Sequence, residues 1–261
     1  MNRRIIELYD DYTHGGMGRR EFLSRLARLA GSAAAAAVLL PLIENRYAAA
    51  ATVAPDDPQL ETDRGRFDGP VGATVYYVAR LKAAERRPAV VVIHENRGLN
   101  AHIEDVARRL ALAGFLALAP DALSGSGGTP PDEDEARQLI GELDPDKALA
   151  IYLEMARHAA GHERGTGKVG CVGFCWGGGM AGRLAAKSQE LSAAVVFYGM
   201  PPEAAEAARV RVPLLLHYAG TDTRINDAVP AFEQALKEKG TRYELHMYPD
   251  VDHAFHNDTN A

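Results

Sequence analysis

Lys168-Val169-Gly170-Cys171-Val172-Gly173-Phe174-Cys175-Trp176-Gly177-Gly178-Gly179 runs from an apolar strand-like segment into a glycine-rich turn, and Met180 to Lys187 then continues as a helix. A Gly-x-nucleophile-x-Gly turn between strand and helix is a nucleophile elbow, so sharp that only glycines fit beside its central residue. Here that residue is Cys175. A thiol at a helix N-terminus meets free N–H groups and the positive end of the helix dipole, both of which favour thiolate. An unperturbed cysteine, with a pKa of about 8.5, is only a few per cent ionised at neutral pH, so a partner base is required. The ordinary alternative is a buried structural cysteine in a glycine-rich turn.

Outward from the elbow, strand and helix patterns alternate. Thr74 to Ala79 is β-branched and aromatic and reads as an edge strand. Ala89 to Ile93 is continuously apolar, as in a strand buried on both faces, and opens into His94-Glu95-Asn96-Arg97-Gly98. Ile103, Val106 and Leu110 recur at helical spacing before Gly114 and the strand Phe115 to Ala119. A loop from Asp121 to Pro131 precedes two helices, Asp132 to Leu143 and Pro145 to His158. Ala193 to Phe197, Leu214 to Tyr218 and Tyr243 to Tyr248 are further strands, with a helix over Val229 to Lys239. The expectation is an α/β-hydrolase fold, a mostly parallel sheet with helices on both faces, lacking the final C-terminal helix that usually covers the last strand.

The chain has 261 residues, 47% hydrophobic and 25% charged, enough for one large α/β domain. Gly18-Arg19-Arg20-Glu21-Phe22-Leu23, then an apolar run from Leu29 to Leu40 closed by Pro41, then Ala48-Ala49-Ala50, reads as a twin-arginine export signal. Residues 1–51 are therefore set apart from a domain over residues 52–261, joined through a polar linker with Pro55 and Pro58. Export implies a periplasmic location without stable membrane anchoring, since the apolar run is shorter than the roughly 20 residues of a span. The alternative is a retained amphipathic helix and a cytoplasmic protein. Residues 1–51 hold seven of the 29 basic and five of the 35 acidic residues, leaving a formal charge of −8 on the rest. That balance gives no electrostatic reason to bind nucleic acid. Two cysteines, Cys171 and Cys175, cannot build a disulfide framework, and no Cys/His cluster has zinc spacing.

The elbow architecture places its partners in the order nucleophile, acid, histidine. Asp222 follows the strand ending at Tyr218 and His253 follows the strand ending at Tyr248, so both loops emerge at the edge where Cys175 projects. Asp227, Asp250 and Asp252 compete with Asp222 as the orienting acid, and His94 and His256 lie near the site but off the expected position. The oxyanion hole should combine the backbone N–H of Trp176 with one from the loop after the first buried strand, that of Asn96. Glu95 has two readings of equal weight, acceptor of the thiol proton or salt-bridge partner of Arg97 or Arg183.

With these residues in view the chain resembles the dienelactone hydrolase (carboxymethylenebutenolidase) family over residues 60–260. The motifs are Val92-Ile93-His94-Glu95-Asn96-Arg97-Gly98-Leu99-Asn100, Ala119-Pro120-Asp121, Gly173-Phe174-Cys175-Trp176-Gly177-Gly178, the Asp222 loop and His253-Ala254-Phe255. It looks most like the bacterial branch with a twin-arginine segment in front and Phe255-His256-Asn257-Asp258 near the end. The resemblance implies a Cys175, His253, Asp222 triad with Glu95 as fourth member, shifting on substrate binding to help generate thiolate. It implies hydrolysis of an enol-lactone such as 4-carboxymethylenebut-2-en-4-olide to maleylacetate through an acyl-cysteine, with no cofactor. Two arginines hold the substrate carboxylate in that family, and Gly125 and Asn257 stand at the corresponding places here. Arg97 or Arg224 is the candidate replacement. The alternatives are a broad esterase on neutral esters or lactones, an inactive scaffold serving as a binding module, and a thiol redox pair of Cys171 and Cys175. A small-molecule substrate and a monomer or small homo-oligomer are expected.

Overall fold

Eight strands hydrogen-bond into one sheet in the order β1-β2-β4-β3-β5-β6-β7-β8. In chain order they are β1 (Leu60–Gly69), β2 (Gly72–Leu81), β3 (Arg87–Ile93), β4 (Leu116–Pro120), β5 (Gly165–Phe174), β6 (Leu191–Phe197), β7 (Leu214–Ala219) and β8 (Tyr243–Tyr248). The computed structural model describes residues 3–14, 17–43, 51–69, 72–83 and 85–259. From β4 through β8 the strands are parallel, while β2 runs antiparallel to both β1 and β4. By contact the chain divides into two units, residues 51–256, which carry the sheet, and residues 1–50 together with 257–261.

Within the larger unit, β3 shows why the sheet is central. Val91 and Ile93 enter one apolar cluster and Val92 the opposite one, each with no exposed surface. Full burial of such side chains stabilises by about 1.5–3 kcal/mol each, which a strand gains on both faces only when helices cover both. One face is covered chiefly by α6 (Pro145–Gly161), α7 (Trp176–Lys187) and α10 (Val229–Lys239), with α5 (Glu133–Glu142), and by the short α8 (Ala204–Ala207) and α9 (Thr223–Asn226). On the other face α4 (Ala101–Leu112) packs Ile103, Val106, Ala107 and Ala111 against the sheet. Asn100 caps α4 by accepting from the Ile103 N–H at 3.1 Å, a contact worth about 1 kcal/mol. Past β8 the described residues to Thr259 form turns, without a helix, and His246 and Tyr248 on β8 stay exposed.

Two expectations change. Thr74 to Ala79 belongs to β2, an interior strand, and the edge is β1. With Asp63, Arg64, Arg66 and Asp68 on it, β1 lacks the composition of a strand, yet charge on an edge is how sheets avoid pairing with other chains. The segment read as a polar linker is also anchored at its start. Thr52 and Val53 donate backbone N–H groups to the buried Asp105 carboxylate at 3.1 and 2.8 Å, and Arg108 donates to the Val53 carbonyl at 2.9 Å.

The smaller unit consists of α1 (Arg3–His14), α2 (Arg19–Ala30) and α3 (Ala33–Ile43), closed around Ile5, Leu8, Tyr12, Phe22, Leu26 and Ala36. Tyr12 stacks on Phe22 with ring centroids 4.3 Å apart. The apolar run from Leu29 to Leu40 is not one helix. Gly31, left-handed at φ 86°, ends α2, and α3 restarts at an angle of 108°, carrying Pro41 inside its last turn. Among the described residues no single helix is long and apolar enough to cross a membrane. Ala48-Ala49-Ala50 lie outside the described residues.

Candidate active site

Cys175 sits between the end of β5 and the start of α7 with φ 53° and ψ −117°, a conformation that non-glycine residues hold only under constraint. Packing supplies the constraint. A Cβ on Gly173 would overlap the Gly177 carbonyl, and one on Gly177 would overlap the carbonyl oxygens of Ile93 and His94. The Cys175 N–H donates to the Phe197 carbonyl at 3.0 Å, which ties the elbow to β6. Trp176 opens α7, so its N–H has no partner within the helix.

Because β5, β7 and β8 are parallel, the loops that follow them share one edge. Asp222 caps α9, accepting from the Ile225 N–H at 3.3 Å through Oδ1, and its Oδ2 accepts from His253 Nδ1 at 2.5 Å. The two loops are tied together, Gly220 N–H donating to the Tyr248 carbonyl at 2.7 Å and Thr221 Oγ1 to the Val251 carbonyl at 2.8 Å. Burial opposes charging of His253, but the charge of Cys175 and the bond to Asp222 outweigh it and lift the imidazole pKa to about 10. The structure thus brings together thiol, imidazole and carboxylate, the three groups that sequence order assigned. Asp252 is exposed, its Oδ1 sharing the one Thr221 hydroxyl hydrogen with the Val251 carbonyl.

A folded-state value above the ordinary 6.5 means that charging of His253 stabilises the fold fully below about pH 6.5. That contribution is lost as pH rises through about 10. Cys175→Ser, whose hydroxyl stays neutral, is expected to move the His253 midpoint down toward the imidazole range near 6.5, and Asp222→Asn to do the same. NMR titration of the His253 ring checks both; an unmoved midpoint in the serine variant would remove Cys175 as the source of the shift.

Glu95 is buried, and its Oε1 accepts from the Tyr198 hydroxyl at 3.3 Å. Tyr198 is fully buried at φ 40°, directly after β6, with its ring 4.9 Å from that of His253. No motif drew attention to it; Gly199 behind it, at the sheet edge where the other loops gather, was the available signal. Arg183 is taken up by Asp146 and Glu206, and the buried Arg97 guanidinium pairs with Glu133 at 2.6 Å. Arg224 is exposed on α9, with no ion-pair partner among the described residues. Asn96 is half-buried in the loop after β3.

Cys171 lies in the cluster on the opposite face from Cys175, and burial pushes its thiol up to about 12. Such a thiol stays protonated and unreactive, which counts against a redox pair. Among the described residues no group of three or more His, Cys, Asp or Glu side chains gathers as a metal site.

Elbow, sheet order and loop-borne acid and histidine together define an α/β-hydrolase. Residues 75–261 match the Dienelactone hydrolase family, and residues 1–32 match a pattern described as YqhI-like. A "Putative carboxymethylenebutenolidase" of Yersinia pestis is 34% identical over 186 residues, covering 66% of this chain and 69% of the relative. A "Putative hydrolase fragment YghX" of Escherichia coli K12 is 45% identical over 113 residues, 42% of this chain and 97% of the fragment. Among solved structures, a "Putative Dienelactone Hydrolase" from Klebsiella pneumoniae superposes with a TM-score of 0.68 at 31% identity, covering 77% of this chain and 91% of that one. The chain belongs to the dienelactone hydrolase family, and is a hydrolase of ester or lactone bonds.

Proposed function

We propose that the protein opens lactones or esters of small carboxylic acids through an acyl-cysteine on Cys175. The carrying observation is the bond of His253 to Asp222 at 2.5 Å on the sheet edge where the Cys175 elbow projects, with the Cys175 charge raising the His253 pKa to about 10. The Cys175 thiolate adds to the substrate carbonyl carbon, and the oxygen that becomes negative is received by the N–H groups of Trp176 and Asn96. Collapse breaks the carbon–oxygen ester bond, and His253 gives its proton to the departing oxygen. His253, now neutral, takes a proton from water as the hydroxyl attacks the thioester, releasing the acid and restoring the thiolate–imidazolium pair. With an enol-lactone the departing oxygen is an enol, which tautomerises to a ketone and makes the first step irreversible. With the thiol proton on His253 in the resting pair, Glu95, which accepts from the Tyr198 hydroxyl, has no proton to take up in this scheme.

For the acyl group the best-supported class is an enol-lactone of the 4-carboxymethylenebut-2-en-4-olide type, and the second reading is neutral esters. Pairing of Arg97 with Glu133 favours that second reading, because it leaves Arg224 as the cation for a substrate carboxylate. Arg224→Ala is expected to lower kcat/KM about fivefold for a lactone bearing a carboxylate, and not for its methyl ester, the effect of one exposed charge pair. Equal values for both would remove Arg224 from binding.

Rapid quenching during turnover of the lactone or of p-nitrophenyl acetate, followed by peptide mass spectrometry, tests the chemistry. An acyl mass on the Cys175 peptide is expected; turnover without one would overturn the acyl-cysteine scheme. Arg19-Arg20 ahead of an apolar stretch supports export to the periplasm, tested by the mass of the N-terminus of protein recovered from that compartment.

A further inference from the structure

His94 is fully buried, and each polar atom of its ring is engaged. Nε2 accepts from the Ala122 backbone N–H at 3.2 Å, with the Tyr152 hydroxyl 3.4 Å away. Since an amide N–H can only donate, Nε2 must present its lone pair, and the ring hydrogen sits on Nδ1. From there it donates to the Glu95 carbonyl at 2.7 Å, a carbonyl that also receives the Gly98 N–H at 3.3 Å. Burial lowers the imidazole pKa and keeps the ring neutral, as this pattern requires.

The carbonyl so held belongs to the peptide unit that joins Glu95 to Asn96. In a planar trans peptide the C=O and N–H vectors point in opposite directions, so fixing the Glu95 oxygen aims the Asn96 N–H. The same ring lies face to face with the Trp176 indole, centroids 5.4 Å apart and planes inclined by 12°. Trp176 carries the other N–H of the proposed oxyanion hole. A second anchor fixes the far end of the loop, where Leu99 N–H donates to Thr129 Oγ1 at 2.9 Å and Thr129 donates to the Asp121 carboxylate at 2.8 Å.

We infer that His94 is a positioning residue for the oxyanion hole, orienting the Asn96 donor through the Glu95 carbonyl and setting its register to Trp176 by stacking. The inference rests on the acyl-transfer reading above. It separates the two ring nitrogens. The bond that aims the peptide is made by Nδ1, whereas the bond to Ala122 only holds the ring.

Two amide variants divide these bonds. In His94→Asn the side-chain NH₂ falls where Nδ1 was and keeps the Glu95 bond; in His94→Gln the amide reaches the place of Nε2 and loses it. Loss of a whole oxyanion donor costs roughly 100- to 1,000-fold in kcat, so misaiming one is expected to cost His94→Gln about 10- to 100-fold. KM should change little, and His94→Asn should stay within about fivefold of the unaltered protein. A trifluoromethyl ketone, whose adduct with Cys175 places an oxyanion in the hole, should lose affinity in the glutamine variant by the same factor as kcat. Alkylation of Cys175 by iodoacetamide forms no oxyanion and should proceed at an unchanged rate in both.

Equal losses in the two variants, or alkylation falling together with kcat, would reduce His94 to a core residue and overturn the inference. Without any substitution, nitrogen-15 NMR of the unaltered protein must report the Nδ1–H tautomer of His94, and an Nε2–H tautomer would overturn it as well. Failure of the acyl-transfer reading looks different, because the unaltered protein would then form no acyl-cysteine whatever stands at position 94.

Discussion

With alanine at position 175, kcat for lactone or ester hydrolysis is expected to fall by about 10⁶-fold, the effect of removing the nucleophile from a triad that works as a unit. No other group can take over. The second thiol, Cys171, is in the opposite core cluster with a pKa near 12, and Glu95 is held by Tyr198. Folding should survive, because the elbow's backbone is fixed by neighbours rather than by the sulfur, and a methyl group fits where the thiol stood. Circular dichroism should therefore stay that of the folded protein, with the unfolding midpoint lowered only by loss of the Cys175–His253 charge interaction, while progress curves flatten to background. Retention of as much as about one per cent of kcat would show that the ester bond is broken elsewhere. Serine at 175 is the informative intermediate, since its hydroxyl needs His253 as a neutral base while the cavity charge that keeps His253 protonated is gone.

The grouping of Cys175, Asp222 and His253 is legible in the sequence because its signals are local. The elbow must be spelled with glycines around one reactive residue, and in a parallel sheet every strand delivers its loop to one known edge. Asp222 and His253 follow from strand order alone, and both take their expected places in one hydrogen-bonded row. What escaped reading depends on partners far away in the chain. His94 looks like any histidine after a strand until Ala122 and Tyr152, 28 and 58 residues on, are seen against its ring. Tyr198 acts across 103 residues on Glu95. Strand β1 is hidden in the sequence for another reason. Its charges, which protect a sheet edge, are the composition by which loops are recognised, so Thr74 to Ala79 looked like the border of the sheet. Arg97 sits in the right motif, yet its pairing with Glu133 on α5 is a fact of packing that spacing does not encode.

Gly177→Val is expected to be the most damaging substitution outside the reacting groups, lowering stability by about 3 kcal/mol or more. A Cβ there would overlap two main-chain oxygens, those of Ile93 and His94, and neither is the flexible tip of a side chain that could swing away. Relief requires α7 to withdraw from the end of β3. That withdrawal separates Trp176 from the loop that carries Asn96, so molecules that still fold should lose at least about 100-fold in kcat, as when one oxyanion donor is removed. Urea unfolding read alongside kcat distinguishes this coupled loss from simple destabilisation, and Gly141→Ala serves as the control. Gly141 lies on α5 with open space where its Cβ would go, so alanine there should leave kcat unchanged and raise stability by up to about 1 kcal/mol. If Gly177→Val kept its unfolding midpoint, β3 and α7 would be free to part at no cost, and neither the strained backbone of Cys175 nor the alignment of the two N–H donors could be a rigid property of this fold.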